Sequence, residues 1–189
     1  MSITKLNISI ITINYNQLEV TCQLLDSIRE LKAQPMEIIV VDNASDESPQ
    51  QYLSTHYPEV TFIQSEKNLG FSGGNNLGMA IAQGDYFFLI NNDTELPEGC
   101  MERLLRLFQD RPQLGIVSPL ICYHPDQHEH ERDLIQYAGT TPVSSLTARN
   151  KTLGAHSIDT GQYKQARPTA YVHGAAMMVP RKVVQEVGM

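Results

Sequence analysis

The chain alternates between apolar runs and amphipathic stretches. Leu6–Ile13 (LNISIITI) is rich in β-branched residues and predicts a strand. Asn14-Tyr15-Asn16 ends it. Over Gln17–Leu31, Leu18, Leu24, Leu25, Ile28 and Leu31 recur at helical spacing, and Pro35 closes the element. Glu37–Val41 (EIIVV) predicts a second strand that stops at Asp42-Asn43. A short helix over Ser48–Thr55 and a strand over Val60–Gln64 follow. Asn68–Asn76 (NLGFSGGNN) predicts a glycine-rich loop, and Leu77–Ala82 a helix ending at Gly84. Tyr86–Ile90 is an unbroken apolar run, the pattern of a strand buried on both faces. It gives way abruptly to Asn91, Asn92 and Asp93. Pro97 opens a helix whose stretch Gly99–Asp110 puts Met101, Leu104, Leu105 and Phe108 on one face. Gly115–Ser118 predicts a fifth strand. From Cys122 to Pro168 the regularity dissolves. Tyr171–Val179 predicts another buried strand and Pro180–Val187 a last helix.

Strands in alternation with helices, the strands buried on both sides, specify an α/β fold. Its sheet is mostly parallel, with helices on both faces. Three strand ends share one chemistry: Asn14-Tyr15-Asn16, Asp42-Asn43 and Asn91-Asn92-Asp93. Ligands of such sheets sit outside the carboxyl ends of the strands. These clusters are therefore a candidate ligand or metal site. Polar turns between elements are the plain alternative.

At 189 residues the chain is expected to form a single domain, and 41% hydrophobic with 19% charged residues marks it as globular. A net charge of −7 argues against a nucleic-acid partner, which needs clustered Lys and Arg. An anionic small molecule stays open, because a metal and backbone amides can hold phosphate locally. Cys22, Cys100 and Cys122 are isolated in sequence, which fits a reducing, cytoplasmic location. No apolar run approaches the roughly 18 residues of a membrane span. The amino terminus has no signal-peptide cleavage pattern. The glycine-rich stretch lacks both the Lys-Ser/Thr ending of a phosphate-binding P-loop and the spacing of a dinucleotide fingerprint. His124, His128 and His130 fall in a polar stretch that reads as a solvated loop rather than a metal site. His173 reads as a core histidine near the cleft.

The segments ISIITINYN, IIVVDNASDES, NLGFSGGNN and FFLINNDTELPEG resemble, in order and spacing, the family 2 inverting glycosyltransferases of GT-A fold. The likeness is to their rhamnosyltransferase-like branch, whose later segment YVHGAAMMVPRKVVQEVG also resembles. The resemblance implies a Rossmann-like GT-A domain over residues 1–189. Residues 1–121 would form the nucleotide-binding half and 122–189 part of the acceptor side. It implies transfer of a sugar, with inversion, from a nucleotide-diphosphate sugar (UDP-, GDP- or dTDP-linked) to a hydroxyl of a saccharide or lipid-linked acceptor. A divalent cation, Mg²⁺ or Mn²⁺, would stabilise the leaving diphosphate. Polysaccharide synthesis would place the full enzyme at the inner membrane face.

Residue by residue, Asp93 matches the last position of the family's Asp-x-Asp metal motif, and Asn91 stands at its first. An Asn91 amide can bond a ribose or a metal-bound water. Asp42 matches the acid that faces the base or ribose, beside Asn43. Thr12, Asn14, Tyr15 and Asn16 match the first-strand motif, with Thr12 bonding the base and Tyr15 packing on it. Asn68, Gly70, Phe71 and Asn75 match the stretch that borders the donor, and Asn92 lies between Asn91 and Asp93. Plain structural roles stand beside these: a helix cap for Asp93, an Asx turn for Asp42, core packing for Tyr15 and Phe71. In the family, a motif with the general base follows the segment matching Val187-Gly188. The chain ends at Met189, so a fragment that binds donor nucleotide without its base is expected. Asp126, Asp133 and Asp159 stand in no supporting pattern. Two alternatives remain: a nucleotidyltransferase making nucleotide sugars, and a non-catalytic nucleotide- or sugar-binding module. The first usually carries basic residues after strand one, where this chain has no Lys or Arg until Arg29.

Overall fold

The computed structural model describes residues 4–124 and 133–189. In chain order the elements are β1 (Thr4–Asn14), α1 (Leu18–Arg29), β2 (Ala33–Asp42), α2 (Gln50–His56), β3 (Val60–Gln64) and α3 (Gly70–Ile81). They continue as β4 (Tyr86–Ile90), α4 (Cys100–Asp110), β5 (Ile121–Cys122), β6 (Ile135–Tyr137), β7 (Ala176–Pro180) and α5 (Arg181–Val187).

One sheet of five strands runs β3-β2-β1-β4-β7, and β5 pairs with β6 in a small second sheet. The pairings among β1, β2, β3 and β4 are parallel; β4 and β7 are antiparallel. The mostly parallel α/β sheet read from the sequence is therefore present. β1 is central, and Ile8, Ile10 and Ile11 have no exposed surface. Ile8 and Ile10 pack with Leu24, Leu25 and Ile28 of α1, Leu53 of α2, and Met101, Leu104 and Phe108 of α4. Ile11 faces the other way, with Leu77 of α3 and Val183 and Val184 of α5. Each fully buried Leu or Ile contributes about 1.5–3 kcal/mol, so these two layers fix which strand ends come together.

Three expectations need correction. Gly115–Ser118 forms no strand: only Val117 bridges, to Met178. Pro119 follows at once, and proline constrains the residue before it while offering no N–H. The stretch from 171 to 175 is likewise not part of a strand; β7 begins at Ala176. Most of NLGFSGGNN is helix, because α3 starts at Gly70. Only Gly70 in this stretch has a left-handed backbone, at φ +68°. Gly74 serves packing instead. A Cβ there would meet Ile13 Cδ1 at 2.8 Å, and one at Gly78 would meet Ile11 Cγ2 at 2.4 Å. α3 thus lies closer to the sheet than any residue with a side chain would allow.

At the opposite end of the sheet Arg181 opens α5. Its guanidinium donates to the carbonyls of Ala82 and Gly84 and lies 4.7 Å from the centre of the Phe87 ring. This fixes β7 and α5 against the α3–β4 turn.

Candidate functional site

The strand order reverses direction between β1 and β4, since β2 and β3 lie to one side of β1 and the chain crosses to the other for β4. The crevice outside the carboxyl ends at such a switch is where open α/β sheets bind ligands. Asn14 ends β1 there, and Asn91, Asn92 and Asp93 follow β4.

A belt of hydrogen bonds joins these ends. The Asn92 amide donates to the Thr21 hydroxyl at 3.1 Å, and that hydroxyl donates to Asn14 Oδ1 at 2.8 Å. Asn14 Nδ2 donates to Asp42 Oδ1 at 2.7 Å, and Gln64 Nε2 to Asp42 Oδ2 at 2.7 Å. Four parallel strands are thus tied at one edge through side chains.

Asp42 is the hub and has no exposed surface. Besides Asn14 and Gln64, its carboxylate accepts from the Ser45 hydroxyl at 2.6 Å and the Ser45 N–H at 2.9 Å. Burial by itself pushes this carboxyl up. The bonds from Ser45, Asn14 and Gln64 overcome that and hold it below its ordinary value. The Asx turn expected at Asp42-Ala44-Ser45 is present, with Ala44 left-handed at φ 65°. Ser45 Oγ also accepts the N–H of Asn16, whose side chain pairs with Asp46.

A second cluster seats the start of α3. Asn43 Oδ1 accepts from Leu69 N, and Asn43 Nδ2 donates to Asn68 Oδ1 and to the Gly70 carbonyl. Asn68 Oδ1 also accepts from Gly70 N. Asn43 is buried while Asn68 is exposed.

The other candidates divide by exposure. Tyr15 and Phe71 are 46% and 44% exposed, so neither is the core aromatic of the plain alternative. Thr12 is fully buried one pleat below Asn14, and its hydroxyl has no partner among the described residues. Asn75 is buried, and its amide donates to the Phe71 carbonyl one turn earlier in α3. Asn91 N donates to the carbonyl of Ala175. Asp93 is exposed and has no hydrogen bond or ion pair among the described residues.

Two neighbours of these residues, Gln64 and Thr21, were not singled out from the sequence. Gln64-Ser65 is a fourth polar strand end, legible by the same pattern as the other three. Thr21 sits inside a helix and carried no signal. His173, read as a core residue, lines the same cleft as Asp93 and is half-buried. Among the three clustered histidines, His124 pairs with Glu95 at 3.3 Å when charged; His128, His130 and Asp126 lie outside the described residues. Arg29 is engaged at the far end of α1 with Glu59. The nucleotidyltransferase alternative therefore gains no basic group at the β1 edge from Arg29.

Residues 9–188 match the Glycosyl transferase family 2 domain, and the chain belongs to that family. It is 31% identical over 137 residues to an uncharacterized glycosyltransferase of Haemophilus influenzae, covering 72% of this chain and 44% of the relative. It is 26% identical over 186 residues to the low-salt glycan biosynthesis hexosyltransferase Agl10 of Haloferax volcanii, covering 96% and 55%. A Mycobacterium tuberculosis N-acetylglucosaminyl-diphospho-decaprenol L-rhamnosyltransferase is 22% identical over 184 residues, covering 88% and 59%. The chain spans about half the length of these relatives. In fold it is similar to the mannosyltransferase PcManGT of Pyrobaculum calidifontis, solved in complex with GDP-Man and Mn²⁺. The TM-score is 0.63 at 18% identity, covering 96% of this chain and 46% of that one. The expected family, and with it the expected GT-A fold, are thus found. Among the described residues no helix is long and apolar enough to cross a membrane.

Proposed function

We propose that the edge formed by β1, β2 and β4 holds a nucleotide-diphosphate sugar, and that the protein transfers the sugar to an acceptor hydroxyl with inversion. The supporting observation is the contrast between Asp42 and Asp93. The first is buried and saturated by donors from its own chain. The second is exposed, follows β4 on the other side of β1, and is unpaired among the described residues. A carboxylate held rigidly beside a free one suits a scaffold and a ligand contact, respectively.

In this reading Tyr15, Asn16, Asn43, Asn68, Gly70 and Phe71 border the nucleotide, while the buried Asn14 and Asp42 shape the edge from behind. Thr12 and Asn75 act from inside the fold. Residues 1–121 form the nucleotide half and 122–189 the acceptor side. The start of α3 adds a positive helix end that suits phosphate.

A divalent cation is part of the proposal. Among the described residues no three His, Cys, Asp or Glu side chains are grouped to hold a metal alone. Asp93 and the amide oxygens of Asn91 and Asn92 form a hard oxygen set that suits Mg²⁺ or Mn²⁺, with phosphate oxygens and water completing the shell. The Asn92 amide nitrogen is turned to Thr21 and Gln17, which leaves its oxygen for a ligand. When bound, the cation neutralises charge on the departing diphosphate. The acceptor oxygen attacks the anomeric carbon opposite the leaving group, the bond to the diphosphate breaks, and the acceptor proton passes to a base. No described side chain is assigned as that base. The rhamnosyltransferase relative supports a saccharide or lipid-linked acceptor for the whole enzyme.

Calorimetric titration with UDP, GDP and dTDP, with and without Mn²⁺, tests the reading. Binding of one of them, strengthened by Mn²⁺ and losing that gain in Asp93→Ala, is expected. Binding indifferent to both cation and Asp93 would overturn it.

A further inference from the structure

Beyond Asp93 the edge opens into a cleft of about 780 Å³, running between the residues after β4, Pro119–His124 and the approach to β7. Among the described residues its lining includes Glu30, Asp93, Glu95, Glu98 and Asp133, and neither Lys nor Arg. Away from a cation at Asp93, these residues offer phosphate no basic partner. Such a wall suits a neutral polyol, whose hydroxyls donate to carboxylates and need a few donors in return.

His173 supplies one such donor. Its Nδ1 accepts the backbone N–H of Ala175 at 3.2 Å. That bond assigns the proton of the neutral ring to Nε2. Nε2 has no hydrogen-bond partner among the described residues. The ring is fixed from the side by Tyr137, centroids 5.2 Å apart, and the Tyr137 hydroxyl donates to the Tyr171 carbonyl. The Ala175 carbonyl accepts from Asn91 N at 2.8 Å. A single residue thus couples His173 to the strand end that carries Asn91 and Asp93. Gly174, between His173 and Ala175, lies against the Phe71 ring.

We propose that His173 is a specificity residue for the sugar of a nucleotide sugar, donating from Nε2–H to a hydroxyl or ring oxygen held beside Asp93. The proposal rests on the donor-binding reading above. It separates two parts of one ligand: the nucleotide at the β1–β2 edge, the sugar in the acidic cleft.

Two amides dissect the ring. His173→Asn places an oxygen near Nδ1, keeping the acceptor for Ala175 and removing the outer donor. His173→Gln places an amide nitrogen near Nε2. Each variant and the parent protein are titrated in Mn²⁺ with UDP, GDP and dTDP, and with UDP-glucose, GDP-mannose and dTDP-rhamnose. His173→Asn is expected to bind the sugar nucleotide roughly fivefold to tenfold more weakly, with diphosphate affinity unchanged, and His173→Gln to recover most of the loss. Equal weakening of diphosphate and sugar nucleotide, or no weakening of either, overturns the proposal and leaves the donor reading standing. Failure of every diphosphate to bind the parent protein overturns both.

Discussion

Asn14 and Asp42 are the last register pair of β1 and β2, and the amide of one donates to the carboxylate of the other at 2.7 Å. Parallel pairing puts them side by side; the twist and pleat of the strands put them on the same face. A neutral donor beside a buried acid lets the acid stay charged without an opposing cation. The site edge thereby acquires a fixed negative charge that solvent does not reach.

Asp42→Asn replaces an acceptor oxygen with an amide nitrogen facing donors on its own chain. The cost expected is about 2–3 kcal/mol of unfolding free energy, read from urea denaturation. Nucleotide affinity should fall as well, because Ser45 and the Asn16 backbone lose their anchor.

The same acid sets a pH dependence. Its folded pKa is depressed, so its stabilisation is fully present above the unfolded carboxylate value of about 3.9. It is lost as pH falls through the lower folded value. The stability gap between the parent protein and Asp42→Asn should stay flat from pH 8 to pH 5 and narrow below about pH 4. A gap that closes already near neutral pH would contradict the assignment.

Thr21→Val keeps the shape of the side chain and removes the hydroxyl that both accepts from Asn92 and donates to Asn14. Leaving the buried Asn14 oxygen without this donor should cost about 1–3 kcal/mol. In a double-mutant cycle, Thr21→Val and Asn92→Ala should give less than additive losses, since they share one bond. Additive losses would mean that the belt does not act as a unit.

Gly78→Ala tests the close approach of α3. Alanine favours helix by about 1 kcal/mol over glycine, yet its methyl would fall 2.4 Å from Ile11 Cγ2. Overpacking of this kind costs about 1–3 kcal/mol, so a lower melting temperature is the expected net result. A stabilised protein would show that α3 can shift outward freely.

Asp93→Asn provides the contrast to Asp42. The side chain is exposed and has no partner among the described residues, so stability should change by less than about 0.5 kcal/mol. The Mn²⁺-dependent part of nucleoside diphosphate binding should disappear. Matched thermal melts and titrations separate the two effects.

Much of this protein follows from local pattern. The β-branched stretch Leu6–Ile13 and the unbroken apolar run Tyr86–Ile90 point to buried strands, through their short length and their β-branched and aromatic side chains. Polar residues at their ends determine that amides and carboxylates gather at one edge. The helical spacing through Leu24, Leu25 and Ile28 determines α1. Asp42 is legible as important, and both its Asx turn and its place at the edge follow from the strand before it.

Tertiary structure decided the rest, through contacts between residues distant in sequence. Whether Gly74 belongs to a loop or a helix depends on Ile13, since the sheet surface beneath is what selects glycine. Asn43 seats the start of α3 across a gap of more than twenty residues, an arrangement that local propensity does not contain. Val117 bridges to Met178 without extending, because Pro119 interrupts the ladder. The division of labour between the two acids was also beyond local pattern. Asp42 and Asp93 each follow an apolar strand, and only the number of donors folding brings to each makes one a buried scaffold and leaves the other free.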